Sequence, residues 1–121
     1  MNLITDLLIM INQIKVMHWQ TSSFAAHKAF DEAHSDLSSL VDQFVEVYQG
    51  KKGKIIKSDA GFKIFVSNIT DNPSKLLEEY ISMLHGPLAE NLSKEKDSDL
   101  LNIRDEMVSV LNKTKYLLTL S

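Results

Sequence analysis

The chain has 121 residues, of which 44 % are apolar and 24 % charged, a balance that excludes a disordered or fibrous polymer and predicts one globular domain over residues 1–121. A formal charge of −3 is too small to attract a polyanionic partner by itself. Cysteine is absent, which excludes disulfide frameworks, thiolate metal sites and cysteine nucleophiles, so any metal must be held by oxygen and nitrogen.

Leu3, Leu7, Met10/Ile11, Ile14 and Met17 recur at three- and four-residue steps, the period of one buried helical stripe, and predict a first helix over about residues 2–19. Asp6, Asn12, Gln13 and Lys15 interrupt this apolar start, which makes it neither a signal peptide nor a membrane span. A cytoplasmic setting without membrane contact is the expectation. Thr21, Ser22 and Ser23 then offer side-chain oxygens to the free N–H groups of a second helix. That helix carries Phe30, Ala33, Leu37, Leu40/Val41, Phe44 and Val47/Tyr48 on its apolar stripe and is expected to stop at Gly50, where a left-handed residue costs little.

Between Lys51 and Asn72 no long period exists, and Phe62, Ile64, Phe65, Val66 and Ile69 fit a short helix or a strand-like stretch equally well. Lys51, Lys52, Lys54, Lys57 and Lys63 make the start of this link basic, with Asp59 its one acid. A solvated connection is the expectation, with DNA an unlikely partner, since no arginine accompanies the lysines. A link of about twenty residues suits a four-helix bundle with one long crossover between helices 2 and 3. Asn72-Pro73 starts the third helix, its proline at a first-turn position where the missing N–H is not needed. Its stripe (Leu76/Leu77, Tyr80/Ile81, Leu84, Leu88) points to an end near Leu92 with a kink or split at Gly86-Pro87. Leu100, Ile103, Met107, Val110/Leu111, Thr114 and Leu117/Leu118 define a last helix from about Asp97 to the C-terminus. The fold class is all-α.

Four polar residues of the second helix, His27, Asp31, Asp42 and Glu46, stand apart from its apolar stripe. At about 100° per residue, Asp31, Asp42 and Glu46 lie roughly 40°, 60° and 100° from His27, so all four share one side. Each i,i+4 pair can place two ligand atoms on one ion. The pairs themselves are fifteen residues apart, roughly 22 Å at 1.5 Å per residue, so one helix cannot bring both to one metal. A second copy lying antiparallel against this face sets His27/Asp31 of one chain opposite Asp42/Glu46 of the other, and two-fold symmetry makes two such sites. Ser35, Ser38 and Ser39 fall where the copies cross. His18, at the end of the first helix, is brought by the hairpin to the His27 end. The mixed nitrogen and oxygen set His18, His27, Asp31, Asp42 and Glu46 suits iron, manganese or zinc rather than copper(I) or calcium.

The stretch His18-Trp19, Phe24 to His27, Phe30-Asp31-Glu32, Asp42 and Glu46 resembles the ferroxidase signature of Dps-type miniferritins, and Ser98 to Leu101 and Lys115 to Leu118 resemble that family's last helix. The resemblance implies a ferritin-like four-helix bundle. It further implies Fe(II) oxidation to Fe(III) at an intersubunit site made of these five ligands, for iron sequestration or peroxide protection, with Trp19 a candidate electron relay. A homo-oligomer of at least a dimer through helix 2 follows. The chain is short and lacks the lysine-rich N-terminal tail that many relatives use on DNA, which argues against the family's twelve-subunit cage and against DNA binding. Short chains of this kind occur in viruses, which makes a viral source and the host cytoplasm a further expectation. The alternative is a helical dimeric binding or structural module with a vestigial metal site and no turnover. Asp31-x-x-His34 also resembles the carboxylate-x-x-His pair of di-iron bundles, but His34 lies outside the miniferritin ligand set and is expected at the surface.

Overall fold

Asn2 starts the first helix, its Oδ1 accepting from the N–H groups of Ile4 at 2.8 Å and Thr5 at 3.2 Å, which satisfies two of the donors a helix start leaves free. The computed structural model describes residues 2–121, with α1 at Leu3–Gln20, α2 at Phe24–Lys52, α3 at Pro73–His85, a 3-10 turn at Pro87–Ala89 and α4 at Ser98–Leu118. No strand occurs among the described residues. The stripes read from the sequence form one core. Leu7, Met10, Ile14 and Met17 of α1, Phe30, Leu37 and Phe44 of α2, Leu77 and Leu84 of α3, and Leu100, Met107 and Leu111 of α4 are fully buried. Each such side chain contributes roughly 1.5–3 kcal/mol.

Two helix ends differ from the expected positions. The second helix runs through Gly50 and ends at Gly53, whose φ of 68° takes the left-handed cap. The extra turn is supported by Lys51, whose ammonium reaches from the α2 C-terminus to the Lys96 carbonyl at 2.5 Å and to Asp99 at 3.0 Å, a favourable place for a cation. The third helix ends at His85 rather than near Leu92, because Pro87 has no N–H to continue it and disfavours helical backbone at Gly86. Arg104 donates to the freed carbonyl of Leu84 at 3.3 Å.

Packing runs α1 on α2, α2 on α4 and α4 on α3. The short turn makes α2 antiparallel to α1. Lys113 meets Glu32 at one end of the α2/α4 pair and Lys51 meets Asp97 and Asp99 at the other, so α4 is antiparallel to α2. Lys115 pairs with Glu78, and Arg104 reaches Leu84, so α3 is antiparallel to α4. Hence α2 and α3 are parallel, and the link between them must return along the whole bundle.

That crossover, residues 53–72, lies along α1 with no regular secondary structure. Phe62, Ile64 and Val66 are half-buried while Lys63, Phe65 and Ser67 are exposed, the two-residue alternation of extended chain. Two glutamine side chains take the place of a neighbouring strand. Gln13, 3 % exposed, donates to the Ser67 carbonyl at 2.9 Å and accepts from the Ser67 N–H at 2.8 Å. Gln20 accepts from the Ile69 N–H at 2.7 Å and donates to Asn68 Oδ1 at 2.8 Å. Removing the Gln13 amide takes the protein partner from both Ser67 backbone groups, at a cost of about 0.5–1.5 kcal/mol for each bond. Gln13→Ala is therefore expected to raise amide exchange at Ser67 and protease cleavage in the crossover, while exchange in the α2 core stays as in the parent.

At the opposite end Asp97, nearly buried, accepts from the Ser93 N–H at 2.9 Å and faces Lys51 at 3.4 Å and Lys52 at 3.8 Å. The Ser93 N–H first, then the two ammonium groups, hold its carboxyl below the ordinary value of 3.8. A depressed carboxylate contributes stability that is present above its unfolded value and is lost as pH falls through the lower, folded one. The unfolding midpoint is expected to drop as acid is added below about pH 4, and an Asp97→Asn chain, less stable at neutral pH, should lose less over that interval in a thermal titration.

Candidate metal centre

The corner between α1 and α2 is set by three residues. Thr21 ends α1 in extended backbone, Ser23 donates its N–H to Thr21 Oγ1 at 3.2 Å, and Ser23 Oγ accepts from the Ala26 N–H at 3.1 Å to start α2. The turn places the last turn of α1 against the first turn of α2. His18 and His27 meet there as stacked rings, with centroids 3.9 Å apart and planes 19° from parallel.

Each ring is held by the other residue's backbone. His18 Nδ1 lies 2.7 Å from the His27 carbonyl oxygen, and His27 Nδ1 lies 2.8 Å from that of His18. A carbonyl can only accept, so each Nδ1 carries a proton and donates it. In the neutral form of such a ring the lone pair is then on Nε2. The His18 carbonyl belongs to the last turn of α1, one of the groups a helix end leaves unpaired, which gives the arrangement a local reason to form. A backbone carbonyl on one imidazole nitrogen is also the support that metal-binding histidines have on the side away from the metal.

The stacking limits how the two rings can bind. A lone pair on Nε2 lies in its own ring plane, and the planes of two rings stacked with centroids 3.9 Å apart and only 19° from parallel do not converge within a coordination bond of about 2.1 Å. One ion cannot sit in the plane of both rings in this arrangement. Any metal bound at both rings would have to be two ions, one at each Nε2.

Asp31, one turn beyond His27, places Oδ1 3.8 Å from His18 Nε2 and 3.8 Å from Lys15 Nζ, with its side chain 62 % exposed. The Lys15 ammonium is the cation nearest this carboxylate. Asp42 and Glu46 are exposed on the same side of α2 and take part in no hydrogen bond or ion pair among the described residues. Within one chain no three His, Asp or Glu side chains among the described residues gather into a group able to hold a metal. The chain thus brings His18, His27 and the edge of Asp31 to one end of α2 and leaves Asp42 and Glu46 toward the other, as the helical spacing requires.

Other residues around the corner are placed more definitely than the sequence allows. Trp19 is 68 % and Phe24 73 % exposed; Phe24 stacks at 6.3 Å on His27, and Lys15 lies 5.8 Å from the Trp19 ring. His34 is half-buried, not a plain surface residue. Burial first, and then the Lys15 ammonium, holds it below the ordinary imidazole value. Lys15 was legible as a neighbour of His18 at i,i+3, but its pairing with Asp31 on another helix was not. Ser35 and Ser39 are exposed and Ser38 half-buried at the middle of α2. His85 is the exposed last residue of α3.

Comparison with known proteins gives a family for this arrangement. The family model described as "Family of unknown function (DUF5856)" matches residues 18–118, from His18 to the end of α4. The chain belongs to the DUF5856 family. It is also 32 % identical, over 105 residues, to an uncharacterized 14.6 kDa protein in the mobD-ri intergenic region of Enterobacteria phage T4, an alignment that covers 85 % of this chain and 74 % of that protein. That relative is a phage protein. No solved structure matches. No helix among the described residues is long and apolar enough to cross a membrane.

Proposed function

We propose that this DUF5856 chain is a short Dps-like miniferritin subunit of the ferritin-like fold, which pairs with a second copy through α2 and oxidises Fe(II) between the two chains. The observation that carries the reading is the His18/His27 pair, two imidazoles each fixed at Nδ1 by the other residue's backbone carbonyl, an arrangement that leaves Nε2 of each to turn to a metal. The antiparallel packing order, closed by a crossover along the bundle, is the one that ferritin-like bundles with one long crossover use. The partner copy's α2 would bring Asp42 and Glu46 to the corner that holds His18, His27 and Asp31.

Iron is the substrate here. Two Fe(II) ions enter, one on each imidazole, and the three carboxylates stabilise the charge that rises on oxidation. Each ion gives one electron to a hydrogen peroxide molecule, which takes two protons and leaves as two waters; dioxygen is the other available oxidant. Exposed Trp19, adjacent to His18, can pass an electron to the oxidant. The Lys15 ammonium holds Asp31 until iron replaces it. Loss of the Nε2 lone pairs on protonation removes both nitrogen ligands, so binding weakens in acid.

An anaerobic Fe(II) titration tests the reading. Saturation at two ions per chain, followed by ferric absorbance on adding peroxide, is expected. Zinc added first should reduce that absorbance. Saturable iron binding without oxidation would favour the other reading, a dimeric helical module without turnover, and no saturable binding of iron, manganese or zinc would overturn the site.

A further inference from the structure

At 79 % exposure, Phe65 is less covered than any other large apolar side chain among the described residues. It cannot simply turn inward. Phe62, Ile64 and Val66 already form the inner face of the crossover, and Gln13 and Gln20 fix the backbone at Ser67 and Ile69. Lys63, two residues before it, shares the outer face and, like Lys57, forms no ion pair among the described residues.

On the far side of the bundle an open groove of about 370 Å³ runs between α2 and α4. Leu40 and Val110 provide its apolar surface, and Asp36 and Glu106 stand beside them with Ser39 and Ser109. Neither carboxylate forms an ion pair among the described residues, although the Lys113 ammonium, paired with Glu32, also lies near Asp36, so an apolar slot flanked by two acids faces outward.

We propose that the crossover of one copy docks in the α2/α4 groove of a second copy, with Phe65 entering between Leu40 and Val110 and Lys63 meeting Asp36 and Glu106. The occupant is another copy because the crossover is tied to α1, across the bundle from the groove, and cannot reach the groove of its own chain. The two surfaces match in both respects: an uncovered phenyl against an apolar slot, and a lysine without an ion pair against carboxylates of which Glu106 has none. Because they are different patches, the contact is heterologous, and repeating it builds a ring or an open chain rather than a closed dimer. Asp36 and Ser39 lie roughly 80–140° around α2 from Asp31 at about 100° per residue. Ser39 borders the α2 seam, whereas Leu40, Val110 and Glu106 lie on the α4 side of it, and this contact does not rest on the iron reading.

The natural absence of cysteine makes a trap specific. Chains carrying Phe65→Cys and chains carrying Val110→Cys are mixed and treated with a short bismaleimide. Cross-linked pairs are expected in the mixture, multimer ladders from the double variant, and neither from either single variant alone. Lys63→Glu beside the first cysteine should cut the yield at least several-fold, and Glu106→Lys beside the second should restore it. The yield should be the same when both chains also carry Asp31→Ala, which separates this contact from the α2 seam. No product in the mixture, equal product from Phe65→Cys alone (crossover on crossover), or a yield indifferent to the charge swap overturns the proposal.

Discussion

Asp31→Ala and Glu46→Ala are each expected to lower Fe(II) affinity by about a hundredfold or more, since even partners outside the ligand shell are worth 10–100-fold, while the helical circular dichroism stays that of the parent. The separation of effects follows from position. Asp31 and Glu46 are exposed on the side of α2 away from Phe30, Leu37 and Phe44, and exposed substitutions of this kind usually change stability by no more than about 0.5 kcal/mol. Asp36→Ala is the internal control. It removes an equally exposed carboxylate from the same helix on the side facing α4, and iron affinity should not change. Parent-like affinity in Asp31→Ala or Glu46→Ala would remove the site, whereas equal losses in all three variants would reduce it to a general attraction of cations by an acidic helix.

The parts of the fold that follow from one-dimensional periodicity were legible in the sequence. Leu7, Met10, Ile14 and Met17 are buried because a helix with apolar residues at those steps has one face to hide, whatever it packs against. The ends of α2 and α3 were less so, because Gly50 and Gly53 are both able to cap a helix and the choice depends on Lys51 finding Asp97 and Asp99 on α4, 46 and 48 residues away. The crossover was the least legible. Its order comes from Gln13 and Gln20, polar residues on α1 that carry no apolar signal and acquire their role only when Ser67 and Ile69 arrive beside them.

The site divides in the same way. That His27, Asp31, Asp42 and Glu46 share a face is a property of the helix and could be read from spacing. The short turn brings His18 to His27 as the sequence required, but the crossed Nδ1 bonds depend on backbone carbonyls whose directions no side-chain pattern encodes. Those bonds change the chemical reading. Without them two nearby histidines could chelate one ion; with the rings stacked as they are, the proposed site needs a separate ion for each.

The two-chain geometry makes a second large effect accessible, because a site within one chain and a site between chains respond differently when defective subunits are mixed. One variant carries His27→Ala/Asp31→Ala and the other Asp42→Ala/Glu46→Ala. In either homodimer every site lacks one of its two pairs, and iron oxidation should fall to background. In a mixed dimer the intact His27/Asp31 of the second variant faces the intact Asp42/Glu46 of the first, so one of the two sites is whole while the other has lost both pairs. Unfolding the variants together and refolding them at equal amounts makes half of the dimers mixed. About a quarter of the parent's sites, and about a quarter of its peroxide-dependent ferric absorbance, should return by this two-fold arithmetic. All four substituted side chains of a dimer lie outside the fully buried core, so refolding itself should not separate the samples. If sedimentation shows mixed dimers and the refolded mixture still oxidises no more iron than either variant alone, His27/Asp31 and Asp42/Glu46 do not act on the same ions.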